Sequence, residues 1–388
     1  MCRGERDMRF GAAITRLQVA PGTRFGGFWN ERADPAAGTH DPLLCQALVA
    51  EGEGGSAVLV SFDLQLISRR AVREIASHLA EDPGIRPESV LVHATHDHAA
   101  PGGDAAEAFV EGMDDYFADP GVAAEVVDAA VRAVRTAWAR RAPGQITYAS
   151  GEISGIGRFR ADASAPARAP AAVLRVEDPS GAVRAVIAWY GCHASVLGPD
   201  NRLFSADYPS VVRRRLAETY PGAEALFFNA PAADVSTRNT RREQTFAEME
   251  RLGGLLSEEL LALAKSARPI GGNAVSAVLG EVGLPLAPEA LREDPRLRRL
   301  RDLFAHDGVP FACQAIRLGD LLIVGLEAEI GYDLGQQILA RARAGRRPTL
   351  VIAPAGGSVG NVPSGVYAPA AAERVLAGVD GILTGTAP

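Results

Sequence analysis

The histidines beside two apolar, β-branched segments are the residues whose spacing points most directly to chemistry. His96 and His98 follow the segment 89–94, and a Pro-Gly-Gly sequence comes next. Side chains two residues apart on an extended chain project to the same face, so both imidazoles can converge on one ion or substrate atom. His93, inside the segment, is expected to pack in the core. The pair indicates a metal or proton-transfer site, with two histidines that only cap a loop as the alternative.

His193 follows a second apolar segment, 182–190. Histidine is the commonest metal ligand, and catalytic zinc sites typically combine two or three histidines with a carboxylate while leaving one position for water. His193 therefore joins His96 and His98 as a candidate ligand. The neighbouring Cys192 is expected to point away from His193 and to pack.

A carboxylate is expected from a third strand end, where Glu327 and Glu329 follow the apolar segment 321–326. Their spacing does not choose between them, and solvated glutamates at the start of a helix are the alternative. A further apolar segment, 225–229, leads into a loop of small residues that ends at Asp234. Small residues in such a loop permit close approach of the backbone to a ligand.

The segments that must position these residues alternate between short β-branched runs and amphipathic helical stretches along the whole chain. This alternation predicts an α/β fold in which mixed β-sheets are flanked by helices. The predicted strands are residues 57–62, 89–94, 146–149, 171–176, 182–190, 225–229, 311–318, 321–326 and 349–353. The predicted helices are residues 69–80, 123–140, 209–218, 242–265, 332–344 and 370–376.

Two loop-like stretches, 161–170 and 285–298, are too short to separate folding units, so one domain is predicted over residues 1–388. Arg158 and Arg160 lie just ahead of the first stretch and are candidates to reach into a pocket, with solvated arginines as the alternative. The sequence 205–209 is typical of a helix start, with Asp207 as its cap.

Composition excludes several classes of function. Forty basic against 47 acidic side chains give a net charge of −7, which argues against non-specific nucleic-acid binding. The first nine residues carry charges where a signal peptide would be apolar, and no segment reaches the roughly 18 apolar residues of a membrane span. We therefore expect a cytoplasmic protein without stable membrane association. The four cysteines form no Cys-x-x-Cys pair, so nitrogen and oxygen are the expected metal ligands.

Several stretches occur in a distinctive order: Gly26-Gly27-Phe28, the segment 40–49, Ala94-Thr95-His96-Asp97-His98 through Gly102, and Cys192-His193 followed by the segment 205–209. Together they resemble the N-terminal catalytic domain of the neutral/alkaline non-lysosomal ceramidase family, nearly from end to end. They are similar to its opening glycine motif, its Asp-Pro-Leu-x-Ala-Arg-Ala-Leu segment, its Ala-Thr-His-Thr-His-Ser-Gly-Pro signature, and its His-Pro and Ser-x-Asp-Phe/Tyr-Pro stretch. A ceramidase-like fold in a divergent, stand-alone bacterial member is therefore expected.

The resemblance implies hydrolysis of an N-acyl amide at one zinc ion, which family members hold with two histidines, a glutamate and a tyrosine. It assigns the two histidines to His96 and His193, and counting back from Gly335 assigns the glutamate to Glu329 rather than Glu327. His98 is then a further ligand or the acid/base.

The remaining candidate residues of the site are predicted to transfer protons or to contact substrate. Asp234 is the second candidate for proton transfer. An arginine could bind a substrate carboxylate or phosphate through paired hydrogen bonds. The candidates for substrate binding are Arg158, Arg160, Gly27 and Tyr367.

Two positions depart from the family pattern. Ala230 stands where ceramidases have a serine implicated in catalysis, and Asn361 stands where they have the tyrosine ligand, for which Tyr367 could substitute. We also expect the protein to lack their immunoglobulin-like C-terminal domain. We therefore expect a small, soluble N-acyl substrate instead of membrane ceramide, cleaved by a metal-activated water.

Other functions stay open at this stage. A metallo-β-lactamase-type hydrolase is disfavoured, because Ala99-Ala100-Pro101 follows the His-x-His pair where that class needs x-Asp-His. An ester or lactone hydrolase, or an acyl transferase, would use the same metal site. A decayed, non-catalytic homologue that acts as a binding protein would explain Ala230 and Asn361. The acyl and amine parts of the substrate and the oligomeric state do not follow from the sequence.

Overall fold

The computed structural model describes residues 8–20, 22–28, 34–103, 119–162, 164, 168–289, 308–344, 347–356, 361–362 and 367–385. Three larger β-sheets are formed by strands β1 (Arg9–Arg16), β2 (Leu44–Gly52), β3 (Gly55–Phe62), β4 (Val90–Ala94), β5 (Gln145–Ile153), β6 (Ala169–Glu177), β7 (Val183–Tyr190), β8 (Glu224–Asn229), β9 (Val275–Leu284), β10 (Val309–Leu318), β11 (Leu321–Leu326) and β12 (Thr349–Ile352).

Helices and two-residue strands complete the described part of the chain. The α-helices are α1 (Arg69–Leu79), α2 (Pro120–Ala139), α3 (Asp207–Thr219), α4 (Phe246–Ala264), α5 (Tyr332–Arg343) and α6 (Ala370–Thr384). The two-residue strands are Gly38–Thr39, Ala142–Pro143, Arg158–Phe159, Leu203–Phe204, Val235–Ser236, Arg268–Pro269, Glu329–Ile330 and Asn361–Val362. No helix in the described ranges is both long and apolar enough to cross a membrane.

Each of the three sheets combines antiparallel strands with one parallel pair. The first runs β4-β3-β2-β1, the second β8-β7-β6-β5 and the third β9-β10-β11-β12, apart from two-residue strands at the edges. The parallel pairs are β3 with β4, β7 with β8, and β11 with β12. The candidate histidines and glutamates follow β4, β7 and β11. Each of these strands belongs to the parallel pair of its sheet, and the carboxyl ends of such strands are common ligand positions.

The predicted α/β fold with mixed sheets and flanking helices is confirmed. All the predicted strands and helices are present, with shifted ends: the helix predicted at 242–265 begins at Phe246, and the one predicted at 370–376 continues to Thr384. Residues 169–170 of the first predicted loop belong to β6, and residues 290–298 of the second lie outside the described residues.

Three strands, β1, β2 and β9, have no counterpart in the sequence prediction. Alanine and glycine interrupt their β-branched pattern, so pairing and packing decide their conformation. In β1, a Cβ atom at Gly11 would lie 2.0 Å from the carbonyl oxygen of Ala137 in α2. This strand therefore needs glycine, a poor strand former, to let α2 pack directly on its backbone.

The largest hydrophobic cluster contains side chains from all three sheets, among them Leu48 of β2, Leu174 of β6 and Ile323 of β11. The three sheets thus share apolar packing and hold the ends of β4, β7 and β11 in fixed relation. One domain over residues 1–388 stays a prediction.

A buried ion pair connects the first sheet to α3. Arg213 binds Asp63 through two hydrogen bonds of 2.7 Å each, and the side chains are 5% and 0% exposed. Asp63 also accepts hydrogen bonds from the backbone N–H of Leu44 and from Gln46. All of these contacts lie at the end of β3, two residues before Gln65.

Candidate active site

His93 belongs to the core and not to the site. Its Nδ1 lies 2.9 Å from Ser61 Oγ, and its Nε2 accepts a hydrogen bond of 3.2 Å from the backbone N–H of Asn229. Burial lowers the pKa of His93 to about 3, so the imidazole is neutral. This agrees with the packed histidine expected from the sequence.

His96 and His193 are both oriented by backbone carbonyl groups. His96 has a left-handed backbone with φ of 54°, and its Nδ1 lies 3.0 Å from the carbonyl oxygen of Gln65. The Nδ1 of His193 lies 2.9 Å from the carbonyl oxygen of Ala232 and 3.1 Å from that of Val235. Because a carbonyl oxygen only accepts, the Nδ1 of each ring is the donor, and this orients Nε2 towards the site.

Both Nε2 atoms face the carboxylate of Glu329. Its Oε2 lies 3.1 Å from Nε2 of His96 and 3.2 Å from Nε2 of His193. The three residues assigned as ligands from the sequence are thus brought to one point, although 233 positions separate His96 from Glu329 (329 − 96 = 233). Glu329 begins the two-residue strand Glu329–Ile330 after β11.

Glu327 points to a different place. Its carboxylate is fully buried and binds Arg69 of α1, with a distance of 2.6 Å from Arg69 Nε to Oε1, and it accepts the backbone N–H of Ala312. Arg69 also pairs with Glu281 at 2.7 Å. Glu327 therefore forms a buried ion pair with Arg69. Of the two glutamates, only Glu329 contacts the histidines.

The charge states at this point favour a bound cation. Burial, followed by the positive charge of Arg160, lowers the pKa of His193 to about 4. The pKa of Glu329 lies well below its usual value: burial would raise it, but His96 and His193 favour the carboxylate more strongly. Glu329 Oε2 lies within 3.2 Å of both Nε2 atoms, so two imidazole nitrogens and one carboxylate oxygen converge on one point. A metal ion that takes nitrogen and oxygen ligands fits this arrangement.

His98 lies next to this centre. The ligand atoms of His96, His98 and His193 all lie within 4.8 Å of one another, a grouping that could hold a metal. Burial, reinforced by the charges of His96 and His193, lowers the pKa of His98 well below its usual value. The neutral ring can therefore accept a proton or bind the ion.

Gly27, selected from the sequence for substrate contact, packs against the backbone of His98. A Cβ atom at this position would lie 2.4 Å from both Cα and Cβ of His98. Phe28 follows with a left-handed φ of 58°, and its ring centroid lies 5.1 Å from that of His98. This turn therefore positions His98.

The variant Gly27→Ala tests this role. The added methyl group has no space beside backbone atoms, so His98 must shift, and we expect a loss of about 1–3 kcal/mol in the free energy of unfolding. Hydrolytic activity should fall while bound metal is retained, because His96 and His193 are held by other segments. Gly254→Ala is the control, since no atom lies within 4 Å of its added Cβ in α4. Equal behaviour of the two variants would contradict the assignment.

A cavity of about 200 Å³ opens beside His98. Three arginines contribute to its wall, and we call it the arginine cavity. Its described lining residues are Phe28, Gln65, His98, Arg160, Ser195, Ser236, Arg238 and Arg241. Of the two arginines selected from the sequence, Arg160 lines this cavity, whereas Arg158 pairs with Ser236 in a two-residue antiparallel ladder and is not part of the described lining.

Two sequence candidates lie elsewhere. Asp234 accepts a hydrogen bond of 2.8 Å from the backbone N–H of Tyr332, the first residue of α5, so its carboxylate stabilises a helix start. Tyr367 is buried in the largest hydrophobic cluster, near Glu327, where burial raises its pKa. Neither is among the described lining residues of the arginine cavity. By contrast, the backbone of Asn361 lies opposite Glu329 in a parallel pairing.

The start of α3 holds the loop of His193 in place. Tyr208 donates its hydroxyl hydrogen to the carbonyl oxygen of Cys192 at 2.6 Å, and Asp207 accepts the backbone N–H of Leu197 at 2.9 Å. Asp207 has a φ of 51° and does not cap α3 as the sequence predicted; Ala206 is the residue before the helix. The carboxylate of Asp207 instead ties the helix start to the loop.

Sequence reasoning missed part of the arginine cavity: Phe28, Gln65, Ser195, Ser236, Arg238 and Arg241. The last three lie on or just after the small-residue loop that ends at Asp234. Arginines directly after such a loop were the available signal. Their convergence with Ser195 depends on contacts between distant segments, such as the hydrogen bond from Arg241 to the carbonyl oxygen of Ser195.

Comparison with known proteins matches residues 20–221 to the family model described as neutral/alkaline non-lysosomal ceramidase, N-terminal, which is just over half of the chain. The chain belongs to this family. The matched range includes His96, His98 and His193 and ends before Glu329. Membership in the ceramidase family confirms the resemblance noted in the sequence.

Two curated relatives are similar to this chain. The neutral ceramidase of Pseudomonas aeruginosa is 28% identical over 291 residues, which cover 67% of this chain and 43% of the relative. The neutral ceramidase of Mycobacterium tuberculosis is 27% identical over 208 residues, which cover 49% of this chain and 32% of the relative. The chain thus aligns with less than half the length of each of these relatives.

Among solved structures, a ceramidase complexed with C2 superimposes with a TM-score of 0.83. The superposition covers 98% of this chain and 76% of that chain, at 19% sequence identity. At this identity the likeness shows the fold alone, and it extends the family fold over nearly the whole chain.

Proposed function

We propose that the chain is a zinc-dependent hydrolase that cleaves the N-acyl amide bond of a small molecule. Family membership supports a reaction on amides. The convergence of His96 Nε2, His193 Nε2 and Glu329 Oε2 is the observation that carries the metal dependence. When bound there, zinc would supply a Lewis acid for the acyl carbonyl and an activated water.

His98 is the proposed proton carrier. Amide cleavage requires that the leaving nitrogen receive a proton, and a neutral imidazole can take one from the nucleophile and return it. His98 has the position for this, because it lies beside His96 and His193 and lines the arginine cavity. We do not assign this role to Asp234, because its carboxylate is engaged at the start of α5.

Water is the proposed nucleophile. Ala230 offers no hydroxyl where ceramidases have a serine. Burial raises the pKa of the Cys192 thiol and keeps it protonated, so Cys192 is a poor nucleophile. The hydroxyl oxygen of Ser236, another possible nucleophile, accepts a hydrogen bond of 3.3 Å from the backbone N–H of Arg238. Intact mass spectra recorded during turnover should therefore show the chain without an added acyl group.

The experiment that tests the proposal measures metal content and hydrolysis on the purified full chain. We expect one equivalent of zinc per chain, hydrolysis of members of an N-acyl amide panel, loss of this activity after chelation, and recovery on adding zinc. Activity that survives complete removal of metal would refute the metal dependence. An acyl adduct on Ser195, Ser236 or Cys192 in intact mass spectra would replace water with a covalent nucleophile.

A further inference from the structure

The arginine cavity has a strongly positive wall beside the candidate metal centre. Arg160, Arg238 and Arg241 come from the segment after the two-residue strand Arg158–Phe159 and from the segment after Ser236. Within the described ranges, none of the three guanidinium groups has a carboxylate oxygen within 4.0 Å. The guanidinium group of Arg241 donates a hydrogen bond to the backbone carbonyl oxygen of Ser195.

This accumulation of charge is costly without a counter-ion. Burial lowers the pKa of Arg160 and of Arg241, and the charge of Arg238 acts in the same direction on both. Glu329 opposes this at Arg160, and Asp207 opposes it at Arg241. An anion in the cavity would relieve the repulsion among the three guanidinium groups.

The lining also argues against a hydrocarbon chain in this space. Five of the eight described lining residues are arginines or serines, and displacing water from such groups without new hydrogen bonds is unfavourable. A carboxylate or phosphate, by contrast, can accept paired hydrogen bonds from a guanidinium group and others from the serine hydroxyls.

The position of His98 indicates which part of the substrate, the acyl or the amine part, lies in the arginine cavity. In the proposed reaction His98 returns a proton to the leaving amine, so the amine part must approach His98, and His98 lines the arginine cavity. We infer that the amine part of the substrate carries an anionic oxygen group, either a carboxylate or a phosphate, and that Arg160, Arg238 and Arg241 bind this group. This inference rests on the proposed function. The substrate class is then an N-acylated amino acid or an N-acylated phosphoamine.

Matched substrates test this inference on the zinc-loaded full chain. N-octanoylglycine is compared with the neutral N-octanoylglycinamide, and N-octanoyl phosphoethanolamine with the neutral N-octanoylethanolamine. We expect at least one anionic compound to have a kcat/KM roughly 10- to 100-fold above its neutral partner, the range for hydrogen bonds to a charged group. The preferred pair identifies the anion as a carboxylate or a phosphate. No preference in either pair would overturn the inference.

Variants of Arg160 test whether the arginine cavity causes the preference for anionic substrates. Arg160→Gln should remove most of it, because KM should rise more for the anionic substrate than for the neutral one. Arg160→Lys should keep an intermediate preference, because it retains the charge without the paired geometry. Arg214→Gln is the control, since Arg214 lies exposed on α3 and pairs with Glu250. Equal losses on charged and neutral substrates in Arg160→Gln would show that Arg160 does not bind an anion.

A binding measurement separates this inference from the proposed function. Ketomethylene analogues, in which a methylene group replaces the amide nitrogen, cannot be hydrolysed as amides, so their affinities do not depend on catalysis. Calorimetry should give tighter binding of an acidic analogue than of its carboxamide or alcohol, and Arg160→Gln should remove the difference. If the protein hydrolyses no amide but shows this difference, the proposed function fails and the anion site stands. If it hydrolyses amides and the difference is absent, only the anion site fails.

Discussion

Replacing His96 with alanine is expected to remove most of the bound metal together with all measurable hydrolysis. The substitution deletes one of the two Nε2 atoms that face Glu329, and a centre with three protein ligands does not hold its ion well with two. Metal content per chain, measured after dialysis, and the initial rate on an N-acyl amide are the two readouts. The fold should persist, because the substitution removes no hydrophobic core residue.

His98→Ala should behave differently although it alters the same His-x-His pair. With His98 as proton carrier, the variant retains its metal and loses roughly 10²–10⁴-fold in turnover, the range for a missing general acid or base. His78→Ala is the control for loss of an imidazole, since His78 lies exposed on α1. It should change neither metal content nor rate.

The outcomes discriminate between the roles of the two histidines. If His96→Ala and His98→Ala lose metal equally, His98 is a ligand, and another group must carry the proton. If both variants keep metal and full activity, the metal centre lies elsewhere and the assignment of His96, His193 and Glu329 is wrong. If only His98→Ala loses metal, His98 is the metal ligand and His96 is the proton carrier.

The sequence was sufficient to place the ends of the three strands that carry the site. Apolar segments before His96, His193 and Glu329 could be recognised locally, because buried strands have continuous β-branched patterns and site residues follow them directly. The choice between Glu327 and Glu329 did not follow from that pattern. The partner of Glu327 is Arg69, 258 positions earlier in the chain, and no local periodicity reports such a contact.

The arginine cavity illustrates a second limit. Arg160 and Arg241 come from irregular segments and Arg238 from a three-residue 3₁₀ helix. In such short or irregular segments, neither the period of an α-helix nor that of a strand says which way a side chain points. Proximity in sequence to a motif does not fix the surroundings of a side chain either: Tyr367 lies near the position of the family tyrosine and packs in the hydrophobic cluster. Contacts between loops depend on the completed fold and cannot be read from local sequence.

The buried pair of Asp63 and Arg213 should be the most sensitive point for the stability of the fold. Arg213→Met leaves the Asp63 carboxylate without its cation in an environment where it is 0% exposed. Breaking a buried ion pair from one side typically costs about 3–5 kcal/mol, which is a large share of the stability of an ordinary domain. Chemical denaturation of the zinc-loaded chain should therefore show a correspondingly lower free energy of unfolding.

Two further variants show whether the unpaired charge causes the loss. Asp63→Asn combined with Arg213→Met removes both charges and should recover part of the stability, because the desolvation of an isolated carboxylate no longer opposes folding. Arg214→Met, one position along α3, breaks only exposed pairs with Glu250 and Glu218 and should cost about 0–1 kcal/mol. Since Asp63 lies two residues before Gln65, whose carbonyl oxygen orients His96, Arg213→Met should also release metal more readily than Arg214→Met does. Equal stability of the Arg213→Met and Arg214→Met variants would show that the pair does not hold α3 against the first sheet.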